Sequence, residues 1–237
     1  MSRKSNKSLW GHILTILLKK FYTLLYHQFA WAYDAIAWIV SGGKWTEWGL
    51  VALPFLSGKQ ILELGHGPGH LQVKLTQKGY HVFGLDRSPQ MIRQAQKRLK
   101  SYQFPFRLVR ATAELLPFSN NSFDSVIATF PTEYIFKRET VQEIWRVLKV
   151  RGKFVTLVGV KIYPAGLYNR LLTVLYKSSR QEVPNDALLV QFLHQLNSAG
   201  LHGQIKWQAA AGGQLLLIIC SKGKSGELSA PIDNDLL

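Results

Sequence analysis

Ile61-Leu62-Glu63-Leu64-Gly65-His66-Gly67-Pro68-Gly69-His70-Leu71 decides how the rest of this chain is read. An apolar run closes around an acid, glycines follow at positions 65, 67 and 69, and a helical pattern begins. That order predicts a strand, a tight turn and a helix N-terminus. Glycine is required where the main chain bends sharply or must let a ligand come close, because a Cβ would clash. The start of the helix offers N–H groups and a partial positive charge to a carboxylate or phosphate. A dinucleotide-binding turn has the spacing G-x-G-x-x-G. Three residues after Gly67 stands His70, and three after Gly69 stands Gln72, so the pattern here is E-x-G-x-G-x-G.

The residues that follow extend the same reading. His81–Asp86 predicts a second strand ending in an acid, about 20 residues after the turn, where a ribose-binding carboxylate stands in such α/β folds. A carboxylate suits two vicinal hydroxyls because it accepts two hydrogen bonds at once. Ser88 is placed to cap a helix whose first position is Pro89, with Met91, Ala95 and Leu99 as its apolar stripe. Ala113-Glu114-Leu115-Leu116-Pro117-Phe118 then leads into Ser122-Phe123-Asp124-Ser125-Val126-Ile127, and Arg146-Val147-Leu148-Lys149-Val150-Arg151-Gly152-Lys153-Phe154 comes later. The glycine turn resembles the first motif of class I S-adenosylmethionine-dependent methyltransferases. The later segments resemble that family's "A-E-x-L-P-F…S-F-D-x-V" run and its "R-V-L-K-P-G-G" turn, in the family's order, over roughly residues 60–160.

The resemblance implies an α/β fold: a Rossmann-like, seven-stranded, mostly parallel sheet with helices on both faces and a reversed last hairpin, under an N-terminal helical cap. It implies S-adenosyl-L-methionine as cofactor, held by Glu63, Gly65, Gly67, Gly69, Asp86, Arg87, Thr112, Ala113, Glu114 and Thr129. In that arrangement the glycines admit the amino-acid and sugar portion. Glu63 orders the turn or meets the ammonium through water, Asp86 takes the ribose hydroxyls, and Ala113 and Glu114 flank adenine. Thr129-Phe130-Pro131 lies where the acceptor must approach. Two positions depart from the family pattern. Thr112 stands where an acid often meets the adenine amino group, and a neutral acceptor is weaker than a charged one. Val150 and Arg151 replace the usual Pro-Gly, which removes rigidity from that turn.

Composition sets the outer bounds. The chain has 237 residues, 47% of them hydrophobic, enough for one domain with additions. Cys220 is the one cysteine, which excludes an internal disulfide and a multi-thiolate zinc cluster and fits a reducing, cytoplasmic compartment. No metal site is expected. The formal charge of +15 predicts attraction to polyanions: anionic lipid, nucleic acid or acidic protein. Seven basic residues and no acid lie between Asp86 and Glu114, as a solvated helix face with strand edges or as a functional basic surface.

The chain divides into three parts. Residues 1–58 are expected to form an amphipathic helical cap, 59–222 the methyltransferase domain with a substrate-cap insertion at 161–185, and 223–237 a frayed tail. Arg3, Lys4 and Lys7 precede Leu9, Trp10, Ile13, Leu14, Leu17, Phe21, Leu24 and Leu25 at helical spacing. This is the profile of a segment lying on the inner face of a membrane, or of a lid packed on the core. Phe21–Val40 has the length of a membrane span but contains His27, Gln28 and Asp34, and a span is rejected. Tyr33-Asp34, Ser41, Gly43 and Trp48 resemble the "Y-D-x6-S-x-G-x4-W" segment of ubiquinone/menaquinone biosynthesis C-methyltransferases, which helps close the site. The plainer reading of Tyr33, Trp38, Trp45 and Trp48 is packing. Asp186–Ala199 is read as a helix, Ile205–Ala209 and Gln214–Cys220 as closing strands, with Cys220 in the core.

Three functions fit these observations. The first is methyl transfer to a small lipophilic acceptor, quinol-like or a lipid headgroup. The second is RNA methylation, favoured by charge but lacking an N/D-P-P-Y/F segment after strand four, where Thr129-Phe130-Pro131-Thr132 stands. The third is a module that holds the cofactor without chemistry. Candidate bases are Tyr33, Asp34, Glu133, Tyr134 and His27, each with an ordinary structural alternative.

Overall fold

The computed structural model describes residues 43–162 and 186–223. In chain order these form helix α1 (Trp45–Leu50), strand β1 (Gln60–Leu64), α2 (His70–Gln77), β2 (His81–Asp86), α3 (Pro89–Ser101), β3 (Arg107–Arg110), β4 (Phe123–Thr129), α4 (Arg138–Val147), β5 (Leu148–Ile162), α5 (Asp186–Ser198), β6 (Leu201–Ala210) and β7 (Gly213–Lys222). Short 3-10 turns cover Leu53–Phe55 and Glu133–Phe136. One seven-stranded sheet runs in the order β3-β2-β1-β4-β5-β7-β6. Strands β1 to β5 pair in parallel, and β7 runs antiparallel to both β5 and β6, which is the reversed hairpin expected at the end of the chain.

Apolar runs become central strands here because both faces of a parallel sheet are covered. Alternate residues of β1 feed opposite faces. Leu62 and Leu64 join Val126, Phe154, Ile144 and Phe192 under α4 and α5. Ile61 joins Val82, Ile127, Val155 and Leu157 under Trp48, Leu71 and Leu75 of α1 and α2. Each such Leu, Ile or Phe, fully buried, contributes about 1.5–3 kcal/mol of transfer free energy. The helix signals of α3 are all present. The Ser88 hydroxyl accepts from the Met91 amide at 3.3 Å, Pro89 is its first residue, and Met91, Ala95 and Leu99 are the buried stripe.

Several strands exceed the spans read from the sequence. β5 begins at Leu148 because the segment Lys149–Gly152 bulges out of the ladder: Leu148 pairs with Phe123 and Lys153 pairs with Ser125. Arg151 lies at φ +63°, in the left-handed region, at the position where the family carries glycine. β6 and β7 extend to Leu201 and Lys222, where polar residues hide the ends. Lys222 is nearly sealed: its Nζ donates to the Leu148 carbonyl at 2.7 Å and to Asn121 Oδ1 at 2.8 Å, 4.0 Å above the Trp145 ring. Burial pushes its amine below the usual lysine range.

Helix α1 packs near the carboxyl end of β4, beside Thr129 and Phe130, and the chain then runs to the amino end of that strand, where Ser57 bonds Ser125 and Asp124. Trp48 is buried, and its Nε1–H donates to the Ala211 carbonyl at 3.1 Å. Residues 1–42, 163–185 and 224–237, with the amphipathic N-terminal segment, nearly all of the expected substrate-cap insertion and the tail, lie outside the described residues. Among the described residues no helix is long and apolar enough to cross a membrane.

Candidate functional site

The turn between β1 and α2 is built by its backbone. Gly65, Gly67 and Gly69 have φ of +68°, +54° and +84°, conformations that a side chain resists. A Cβ at Gly65 would sit 2.8 Å from Tyr134 Oη, and one at Gly69 would sit 2.8 Å from the Ala95 Cβ on α3. Gly67 faces open space, with nothing within 4 Å of where its Cβ would be. The turn is held from beneath: the Gly65 and His66 amides donate to the Leu85 carbonyl at 2.7 and 3.2 Å. Arg98 reaches over from α3 and donates to the Pro68 carbonyl.

Asp86 clamps the turn to the next helix. One carboxylate oxygen accepts from the Gly67 amide at 2.9 Å and the other from the Ser88 amide at 2.8 Å. The side chain is 4% exposed. Glu63, 2% exposed, accepts from Gln72 Nε2 at 2.7 Å, the donor standing on α2. Burial, with the charge of Asp86 in support and the Gln72 hydrogen bond opposing, pushes the Glu63 carboxyl up to about 8, so at neutral pH it holds a proton. His66 completes the group. Its Nδ1 is 2.7 Å from the Gly67 carbonyl oxygen, which only accepts, so Nδ1 carries the proton and Nε2 a lone pair. That Nε2 is buried and has no hydrogen-bond partner among the described residues. Burial holds the imidazole below its ordinary value and neutral, against the attraction of Asp86.

Above this group opens a cleft lined by Trp45, Thr46 and Gly49 from α1, Glu63, Gly65, His66, Gly67 and Pro68 from the turn, His70 and Leu71 from α2, and Thr129. α2 starts at Gly69 with no side-chain cap, directly on the cleft. The roof is stiffened by aromatics: the Phe130 ring, on a residue with φ +48°, lies 4.4 Å from Trp45 and 6.0 Å from Trp48.

The expected cofactor residues do not all reach the cleft. Glu63, Gly65, Gly67 and Thr129 line the cleft, while Gly69 and Asp86 support it from behind and below. Arg87 and Thr112 are exposed at the same edge of the sheet. Ala113 is buried in the core, and Glu114 is paired with Lys137 at 2.7 Å. Glu133 is an exposed charge at the start of its 3-10 turn, and Tyr134 Oη donates to the Leu64 carbonyl at 3.2 Å, steadying the strand end below the turn. Tyr33, Asp34 and His27 lie outside the described residues.

Other members were not singled out from the sequence. His66 was visible inside the glycine pattern, but nothing local marks its Nε2 as unpartnered. Gln72 is nine residues from Glu63 and meets it only because strand and helix fold back on each other. Arg146 serves the loop rather than the turn before β5. Its guanidinium donates to the Leu116 and Phe118 carbonyls at 2.9 and 2.7 Å, to Asn120 and to Glu143, while Glu143 accepts from the Leu116 amide at 2.7 Å. That pair fixes residues 116–120 as they lead into the amino end of β4. Asp124 of the "S-F-D" segment has a structural role as well, accepting from the Lys59 and Gln60 amides at 2.9 Å each and from Lys149 at 2.7 Å.

Comparison with known proteins agrees with this geometry. Residues 62–156 match the family described as "Methyltransferase domain". The chain is 30% identical over 162 residues to the ubiquinone/menaquinone biosynthesis C-methyltransferase of Blochmanniella floridana, covering 64% of this chain and 61% of that one. It is 32% identical over 145 residues to a demethylmenaquinone methyltransferase of Thermotoga maritima, covering 59% and 62%. The chain spans 42–62% of the length of the curated relatives it matches. Geranyl diphosphate C-methyltransferase of Streptomyces coelicolor superposes with a TM-score of 0.56 at 15% identity, over 75% of this chain and 77% of that one, a likeness of fold. The glycine turn and both buried carboxylates therefore lie inside the stretch that matches a methyltransferase domain.

Proposed function

We propose that this protein is an S-adenosylmethionine-dependent methyltransferase acting on a small, lipophilic acceptor of the quinol kind. The observation that carries the reading is the cleft floor. In a strongly basic protein, the group beneath the glycine turn holds two buried carboxyls, and Glu63 stays protonated unless a positive charge comes to it. A ligand bearing a sulfonium and an ammonium supplies that charge. The residues present fit such a cofactor: Gly67 leaves room against its main chain, and α2 opens uncapped on the cleft.

S-adenosylmethionine, when bound, brings both the methyl group and its own leaving group, so the protein's task is alignment and exclusion of water. Gly65 and Gly67 admit the ligand against the turn. Asp86 fixes the turn through the Gly67 and Ser88 amides and would take the sugar hydroxyls, and Ala113 and Glu114 would flank adenine. Trp45, Gly49 and Leu71 give the acceptor an apolar wall, which suits a ring with a greasy tail better than a phosphate backbone. Tyr134 is committed to the Leu64 carbonyl, and Glu133 faces solvent, so neither is assigned as a base. The names of the relatives from Blochmanniella floridana and Thermotoga maritima support a quinol as acceptor.

Isothermal calorimetry with S-adenosylmethionine and S-adenosylhomocysteine tests the cofactor, and transfer of labelled methyl to demethylated quinol extracts tests the acceptor. Absence of heat with either nucleoside on folded protein overturns the first part. Binding without transfer to any quinol overturns the second.

A further inference from the structure

The edge of the sheet carries a surface that the methyl-transfer site does not use. On α3, Arg93, Lys97 and Lys100 recur at i, i+4 and i+7, which places them on one stripe, opposite the buried Met91, Ala95 and Leu99. All three are exposed, and among the described residues no carboxylate forms an ion pair with them. The helix runs directly into a tip of aromatics. Tyr102 is 51% exposed and Phe106 48% exposed, with Phe104 stacked on Tyr102 at 5.9 Å. Arg107 and Arg110 of β3, the edge strand, are exposed beside them, and Arg110 sits level with Asp86 in the neighbouring strand.

We propose that this edge, from the α3 cations through the Tyr102–Phe106 tip to β3, is a docking surface for an anionic phospholipid bilayer. Cations beside exposed aromatics are the combination that interfacial segments use: the charges meet lipid phosphates, and the rings enter the headgroup layer. Charge complementarity is one-sided, since no acid occurs between Asp86 and Glu114. A bilayer fits better than nucleic acid because Tyr102 and Phe104 have already given one face each to the other, whereas single-strand binding needs open faces for bases. The aromatic tip leads into the amino end of β3, and Arg110, level with Asp86, stands at its other end. The inference does not depend on the cofactor or the acceptor.

The test is sedimentation of the full chain with vesicles of pure phosphatidylcholine and with vesicles containing phosphatidylglycerol, over a salt series. Wild type should bind only the anionic vesicles, and less as salt rises. Near an anionic surface each basic residue is worth about fivefold in binding, so removing three costs about a hundredfold and R93E/K97E/K100E, which also adds three negative charges, should lose more than that. A second variant, Tyr102→Ser with Phe106→Ser, should bind more weakly with the salt dependence unchanged; circular dichroism confirms that both are folded. Binding of the triple variant equal to wild type, or equal wild-type binding to both vesicle types, or none to either, overturns the proposal. So does a triple variant that loses a single-stranded RNA oligonucleotide while keeping the vesicles.

Discussion

Replacing Glu63 by Gln should remove a pH dependence of stability that the buried carboxyl imposes. In the folded protein this group titrates at about 8 instead of near 4.5, because burial disfavours its charge. In the unfolded chain it titrates at its ordinary value. Between those two values the folded state keeps a proton that the unfolded state has lost, so stability is present at low pH and drains away as pH rises. The slope is about 1.4 kcal/mol for each pH unit. His66 works in the opposite direction: its value is lowered, so its contribution is complete above 6.5 and is lost as pH falls below that. The carboxyls of Asp124, Glu114 and Glu143 titrate below their ordinary values and are silent above about 5. Over 6.5 to 8 the difference between the two proteins isolates Glu63, since Lys222 is common to both, and wild type should lose about 2 kcal/mol relative to the variant. Gln fills the same space and still accepts from Gln72. Urea unfolding of both proteins at pH 6.5, 7.2 and 8, without ligand, measures the difference. If the two stability profiles run parallel, the carboxyl is not held neutral and the argument for a cation-seeking floor falls with it.

Other consequences can be checked in the same way. Asp86→Ala should weaken S-adenosylmethionine binding by about 1–3 kcal/mol, as for loss of a buried charge-assisted partner, and calorimetry reads it. Arg151→Gly should raise stability by about 1 kcal/mol, since φ of +63° costs a non-glycine residue that much; a melting point unchanged or lowered refutes the strain. Arg146→Ala should cost about 1–3 kcal/mol and speed hydrogen exchange at the Leu116 amide, which loses the partner that holds its acceptor.

How far the residues alone reveal this depends on how local each signal is. The cap at Ser88, Pro89 and the stripe of Met91, Ala95 and Leu99 are contained within one helix, and they read correctly. The glycine turn reads correctly because its constraint is backbone geometry. Glu63 with Gln72, and Arg146 with the carbonyls of Leu116 and Phe118, are contacts between distant segments, and no periodicity encodes them. β6 and β7 extend beyond the spans that periodicity marks because the added end residues include polar ones such as Lys222, which is buried only through partners such as Asn121. Trp48 illustrates a residue with two readings. It packs, as its size suggests, and the helix it anchors also places Trp45 and Gly49 along the cleft.

Asp86 fastens two successive loops with one carboxylate, and both fastenings are to the chain's own amides. A nucleoside arriving at such a socket finds these two loops already fastened, so little of its affinity is spent on ordering them. Association should then proceed as a single rapid step, and residence time, rather than capture, should distinguish a good cofactor analogue from a poor one.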